Sequence, residues 1–248
     1  MQGLILDTSC NRSYILLAQD GQVLAYLPMN GGENLSKNLG LEIEELLLER
    51  RSLFAPLKEA VRLKPHTASH KIACLDPPLK GRDCGKQCVQ RQLQENPSFR
   101  ADFVAVGTGP GSYTGIRVGA AMAKSLAFGW GVPIMGFCSL MALAPPQIGP
   151  FAILTDARSC GFYCLEGSRS EQGLRFASPR LIASLTELDP GRQIYSPHPA
   201  QIEKRIEAQE VYPDPVWLAD HCCCKAAKMG QSPLIHLPLN YLTSPAVL

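Results

Sequence analysis

Residues 102–129 constrain the fold of this chain more than any other stretch. A short apolar run at 102–106 reads as a strand. It ends in a turn, 107–111, with glycine at three of its five positions, and a helix of about four to five turns follows over 112–129. A strand, a tight turn and a long helix form the unit from which helix-covered sheets are built. Between Ile116 and Phe128 only Arg117, Lys124 and Ser125 are polar. A helix apolar on nearly every side must be covered on nearly every side, and its own sheet covers only one. Gly115, Gly119 and Ala123 recur every fourth residue, leaving a smooth stripe. Such a stripe lets another helix approach to about 8 Å between axes, or lets this helix lie close on its own sheet. The expectation taken here is the first, with part of the helix left as an exposed apolar patch for a second polypeptide.

Standard ligand motifs do not fit the turn. A dinucleotide fingerprint counted from Gly107 or Gly109 needs glycine where Ser112 and Thr114 stand, and a P-loop needs a Gly-Lys-Ser/Thr sequence that is absent. A nucleophile elbow needs glycines at Pro110 and Thr114. Pro110 also lacks an N–H to offer a phosphate. Ser112 as helix cap accounts for the loop without any ligand.

The rest of the chain fits around this unit. Strands are expected at 3–9 and 13–18, then a hairpin at Asp20-Gly21 leading into 22–27. A helix follows with Leu35, Leu39, Ile43, Leu46 and Leu47 on one face and Glu42, Glu44, Glu45 and Glu49 on the other. After the glycine turn and its helix come a strand at 133–138, a helix at 139–144 and the break Pro145-Pro146. The opening theme then repeats: a strand at 151–155, a turn at 156–161 and a strand at 162–166. In both copies an Asp ends the first strand, Asp7 and Asp156. Beyond 168 only helices at 199–208 and 216–229 stand out. Mixed strands and helices of this order imply a mixed sheet faced by helices, built twice. We therefore divide the chain into a first lobe at 1–148, carrying an insert at about 52–100, and a second lobe at 149–248.

Charge concentrates in the insert. Residues 50–100 hold eleven Lys/Arg and four Asp/Glu, a balance of +7, so the remainder carries 2 − 7 = −5. A basic segment on an acidic protein invites an anionic partner, nucleic acid first; a solvated surface insert is the alternative. The insert also contains His66, His70, Cys74, Cys84 and Cys88, enough ligands for a tetrahedral zinc, although their spacing is not that of a standard finger and prolines interrupt it. No apolar run approaches the roughly 18 residues of a membrane span, and the opening lacks the basic region of a signal peptide. A cytoplasmic protein with reduced thiols is expected, and the run Cys222-Cys223-Cys224 is read as composition.

The residues from Gly107 through Thr108, Gly109, Pro110, Gly111, Ser112, Tyr113, Thr114 and Gly115 to Ile116, Arg117, Val118 and Gly119 resemble the signature of the TsaB/YeaZ family. Leu6-Asp7-Thr8-Ser9, Thr155-Asp156-Ala157-Arg158 and Pro238-Leu239-Asn240-Tyr241-Leu242 resemble its opening strand, second-lobe turn and tail. The resemblance covers 1–49 and 101–166 well, the tail briefly, and the insert poorly. It implies an α/β fold of the two-lobed, actin-like (ASKHA, RNase H-like) kind, with a mixed five-stranded sheet in the first lobe and a smaller, degenerate second lobe.

By the same resemblance the chain is a non-catalytic scaffold of the bacterial machinery for threonylcarbamoyladenosine. It would bind the paralogous transferase TsaD, with the ATPase TsaE, for N6-threonylcarbamoylation of adenosine 37 in tRNAs reading ANN codons, and form a homodimer in isolation. The partner interface would fall on Leu35, Leu39, Ile43, Leu46, Thr114, Arg117, Val118, Ala121, Met122 and Ser125. A vestigial nucleotide or phosphate site would involve Asp7, Thr8, Ser9, Gly109, Gly111 and Asp156; no cofactor is expected, with ATP and Mg²⁺ shared at the partner interface as the alternative. TsaD-type enzymes carry two metal-binding histidines spaced His-x3-His where this chain has Gly32, Glu33, Asn34, Leu35, Ser36, Lys37 and Asn38, so no catalytic residue is assigned. Two other readings remain: an ATP-dependent transferase or kinase of the same fold, and an RNA-binding protein acting through 52–100.

Overall fold

The computed structural model describes residues 1–30, 35–49, 101–202, 207–229 and 237–241. The insert at 52–100, with His66, His70, Cys74, Cys84 and Cys88, lies outside the described residues. The chain divides into two compact units, one of residues 1–44 with 100–248 and one of residues 45–99.

The chain opens as a meander. β1 (Gln2–Asp7), β2 (Arg12–Gln19) and β3 (Gln22–Asn30) pair antiparallel, in a register that sets Gly3 opposite Ala18 and Asp7 opposite Tyr14. The hairpin turns at Asp20 and Gly21, both with positive φ. α1 (Leu35–Glu49) follows; then β4 (Phe103–Gly107) joins β1 parallel, α2 (Tyr113–Trp130) covers the sheet, and β5 (Ile134–Phe137) joins β4 parallel. The order is β3-β2-β1-β4-β5, the mixed five-stranded sheet expected from sequence.

β1 shows why the sequence demands this arrangement. Leu4, Ile5 and Leu6 are all fully buried, so both faces of the strand must be covered, and an unbroken apolar run is the mark of such a strand. α2 supplies one cover. The other comes from α4 (Pro215–Met229), whose Leu218, Ala219, Cys222 and Cys223 pack with Ile5, Tyr14, Leu16 and Phe103. The C-terminal helix, placed by sequence in the second half, thus returns to the first sheet.

The second sheet repeats the first. β6 (Gly149–Asp156) pairs antiparallel with β7 (Phe162–Ser170), which continues into β8 (Gly173–Phe176); β10 (Gln193–Ser196) joins β6 parallel and β11 (Gln209–Glu210) joins β10. Read from β8 the order is β8-β7-β6-β10-β11, the same succession as in the first lobe. β9 (Arg180–Ile182) adds a further pairing to β7. The segment 139–144, expected as an α-helix, is a 3-10 turn at Ser139–Leu143; α3 is Pro199–Ile202, and residues 203–206 of the helix expected at 199–208 lie outside the described residues.

Arg12 and Trp217 are among the side chains that join the two lobes. Arg12 of β2 donates to the Pro197 carbonyl at 3.1 Å, pairs with Glu210, and lies 4.0 Å above the Tyr212 ring. Trp217 of α4 meets Phe176 of β8 edge-on at 5.6 Å.

Candidate functional site

The glycine-rich loop lies against the end of β1, and this geometry explains its glycines. A Cβ at Gly107 would sit 2.2 Å from the Asp7 carboxyl, one at Gly111 2.3 Å from the Ser9 carbonyl, and one at Gly109 2.9 Å from the Asn240 carbonyl. Gly109 also has φ +93°, a conformation that glycine alone adopts without strain. The loop is shaped to fit its own chain.

Its donors are directed inward as well. Thr108 N–H donates to the Phe137 carbonyl at 2.9 Å, Gly109 N–H to Ser139 Oγ at 2.9 Å, and Ser112 N–H to the Ser9 carbonyl at 2.6 Å. Gly115 N–H donates to Ser112 Oγ at 3.3 Å and Ile116 N–H to the Ser112 carbonyl at 2.9 Å. Ser112 is therefore the helix cap expected from sequence. These N–H groups are thus occupied within the chain, and Pro110 has none to offer.

Asp7 and Asp156 hold different environments. Asp156 is exposed, and its Oδ1 accepts the Arg158 N–H at 2.9 Å, a local turn cap. Asp7 is only 3% exposed and accepts the Ser9 N–H at 2.8 Å. Burial raises its carboxyl above the ordinary 3.8, against hydrogen bonds from Ser9, Ser139 and the Thr8 backbone that pull the other way. Its neighbour Cys10 is pushed up to about 12 by the same burial and by Asp7, an inert thiol at neutral pH.

The sign of the Asp7 effect follows. A carboxyl raised by folding stabilises the fold while protonated; that contribution is complete below the unfolded value near 3.8 and is lost as pH rises through the folded value. Asp7→Asn keeps the acceptor for Ser9 N–H and removes the buried charge, since the Ser9 and Ser139 hydroxyls can turn to accept from the new amide. Its melting temperature at pH 7.5 is expected to equal or exceed that of the unmodified chain, with the gap closing towards pH 4. A lower melting temperature at pH 7.5 would show that the carboxylate itself supports the fold.

The helix after the loop presents two faces. Gly115, Ile116, Gly119, Ala120, Ala123 and Ala127 are buried. A Cβ at Gly115 would lie 2.0 Å from the Thr8 carbonyl and one at Gly119 2.4 Å from Thr8 Oγ1; Thr8 Oγ1 itself donates to the Gly115 carbonyl at 2.7 Å. The expectation that this small-residue stripe faces a partner is therefore corrected. It admits the helix to its own first strand. The reason is local: a hydroxyl on Thr8 needs the Gly115 carbonyl, and only a helix without side chains there comes close enough.

The opposite face is open. Thr114, Arg117, Ala121 and Ser125 are exposed, Val118 and Met122 half-buried, and Phe128 is 91% exposed. Of the α1 positions expected in the interface, Leu39 and Ile43 are buried, at 0% and 3% exposure. Leu46 is half-buried, the Leu35 side chain lies outside the described residues, and Leu41, not singled out from sequence, is 59% exposed. α1 and α2 adjoin, since a Cβ at Gly40 would lie 3.5 Å from Met122 Cε.

The family model described as TsaD, tRNA N6-adenosine threonylcarbamoyltransferase, matches residues 87–212, which is 126 of 248 residues. TsaB of Escherichia coli, a tRNA threonylcarbamoyladenosine biosynthesis protein, is 38% identical over 76 residues, 29% of this chain and 33% of that protein. The chain belongs to the TsaB/YeaZ branch of the TsaD-like family. An uncharacterized Mycobacterium leprae protein is 37% identical over 120 residues, 47% of this chain and 32% of that protein. The chain thus spans about a third of the length of these two relatives. The fold agrees: YeaZ from Pseudomonas aeruginosa superposes with a TM-score of 0.62 at 18% identity, over 97% of this chain and 99% of that one. Among the described residues no three metal-ligating side chains converge, and no helix is long and apolar enough to cross a membrane.

Proposed function

We propose that this TsaB/YeaZ-family chain is a non-catalytic docking subunit in the threonylcarbamoylation of tRNA at adenosine 37. It binds a TsaD-type transferase paralogue, with a TsaE-type ATPase completing the machinery, through the outward face of α2 and the adjoining exposed part of α1. The observation that carries this reading is the contrast between the two faces of α2. One is consumed by the chain's own Thr8 contacts; the other leaves Ala121 and an almost fully exposed Phe128 in water beside Arg117 and Ser125. A single exposed apolar residue is ordinary. An exposed phenylalanine on a helix with Ala121, half-buried Met122 and Leu126, and exposed Leu41 on the adjoining helix is surface suited to being covered. The inward-directed loop donors and the buried Asp7 support a binding role over phosphoryl or acyl transfer by this chain alone.

Size-exclusion chromatography of the purified chain with the TsaD-type paralogue of its own genome tests the reading. Co-elution as a heterodimer is expected. Separate elution at micromolar concentrations, with and without nucleotide, would overturn it.

A further inference from the structure

Residues 237–241 lie across the glycine-rich loop and end beside the open face of α2. Leu237 is 7% exposed, and a Cβ at Gly136 would meet its Cδ1 at 3.0 Å. Asn240 N–H donates to the Thr108 carbonyl at 2.8 Å, and its amide Nδ2 to Thr108 Oγ1 at 3.4 Å. These contacts fix the segment so that the Tyr241 ring sits 5.1 Å from Tyr113, centroid to centroid, at 44°. Arg117, one turn along α2, lies 4.0 Å above the Tyr113 ring and donates through Nε to Tyr241 Oη at 3.4 Å.

We infer that Tyr241 is a positioning residue of the docking surface: the C-terminal segment extends the α2 face and holds Arg117 in place for the partner. This deepens the proposed function and rests on it. An exposed arginine is rotamer-rich, and ordering such a side chain on association opposes binding. Stacking over Tyr113 and donation to Tyr241 order Arg117 beforehand, so less freedom is lost when a partner arrives. Arginine is also among the residue types that dominate interface energetics when covered. Arg117 itself remains exposed, so the ordered guanidinium still offers surface. It is continuous with Thr114 and Ala121 on the same helix. Leu237 and Asn240 attach the segment to the loop, whereas the Tyr241 side chain meets the surface residues Tyr113 and Arg117.

Titration calorimetry with the TsaD-type paralogue decides the matter, using the full chain and its Tyr241→Ala, Tyr241→Phe, Arg117→Ala and double Arg117→Ala/Tyr241→Ala variants. Tyr241→Ala is expected to weaken binding about tenfold with an unchanged melting temperature. Tyr241→Phe, which keeps the ring and loses the acceptor oxygen, should weaken it about threefold. The double variant should bind no more weakly than Arg117→Ala, because Tyr241 acts through that side chain. Wild-type affinity in Tyr241→Ala, or losses that simply add in the double variant, would overturn the inference and leave the docking role standing. Failure of the unmodified chain to bind would remove both.

Discussion

Gly115→Ala is expected to lower the stability of the isolated chain by about 3 kcal/mol, a loss read directly from its thermal or denaturant unfolding. The added methyl would fall 2.0 Å from the Thr8 carbonyl oxygen, far inside any contact distance, and neither party can step aside. The Thr8 backbone follows directly from β1, whose Leu4, Ile5 and Leu6 are fully buried, and the helix is tethered there by Thr8 Oγ1 on its own carbonyl. Moving α2 outward would break that bond and open a void above Leu6, which approaches within 3.5 Å of a Cβ at Gly119. Gly129→Ala is the matched control. No atom lies within 4 Å of its Cβ, so relief of glycine's unfolded-state entropy should raise stability by roughly 0.5–1 kcal/mol. The same chemical change at two glycines of one helix thus has opposite signs. If Gly115→Ala folds as stably as the parent and weakens only association, the stripe faces a partner after all.

That stripe marks where sequence reasoning reached its limit. Spacing of four identified a smooth face on the helix but not what it was smooth for, because glycine serves a sheet and a foreign helix equally well. Thr8 decides it, and Thr8 is 107 residues from Gly115 in sequence; nothing local announces that its hydroxyl needs a helix carbonyl. Elements with strong periodic signals were legible: the opening meander, α2, and the second strand–turn–strand copy at β6 and β7. β8 to β11 were not, since short half-exposed strands such as Gly173–Phe176, with a burial pattern alternating between exposed and intermediate, carry too few apolar residues to stand out. The return of α4 to the first sheet was likewise hidden. Its buried Leu218, Ala219, Cys222 and Cys223 form an ordinary apolar stripe, and no stripe names the sheet it covers. Phe128 and Tyr241 enter the sequence reading only as parts of longer stretches, the helix and the tail, because sequence alone does not show which aromatic of a segment is left exposed.

Ala121→Arg should abolish the heterodimer while leaving the isolated chain intact. Ala121 is exposed, so the longer side chain projects into water in the monomer and its stability changes by no more than about 0.5 kcal/mol. In the complex the same position lies between Arg117 and Ser125 on the open face, and the new guanidinium would be trapped under the partner, one turn from Arg117. A buried charge without a partner costs about 3 kcal/mol or more, equivalent to a weakening of over a hundredfold in Kd. Phe128→Ala probes the same surface in the other sense, by removing apolar area. At 91% exposure the ring makes almost no contact with its own chain, so its loss leaves unfolding unchanged, whereas covering it in a complex would contribute about 2 kcal/mol. Calorimetric titration of both variants against the TsaD-type paralogue, beside their melting curves, separates docking from folding. An Ala121→Arg chain that melts as the parent does and still binds with undiminished affinity would place the partner on another face, and the outward side of α2 would then be plain solvent-facing surface.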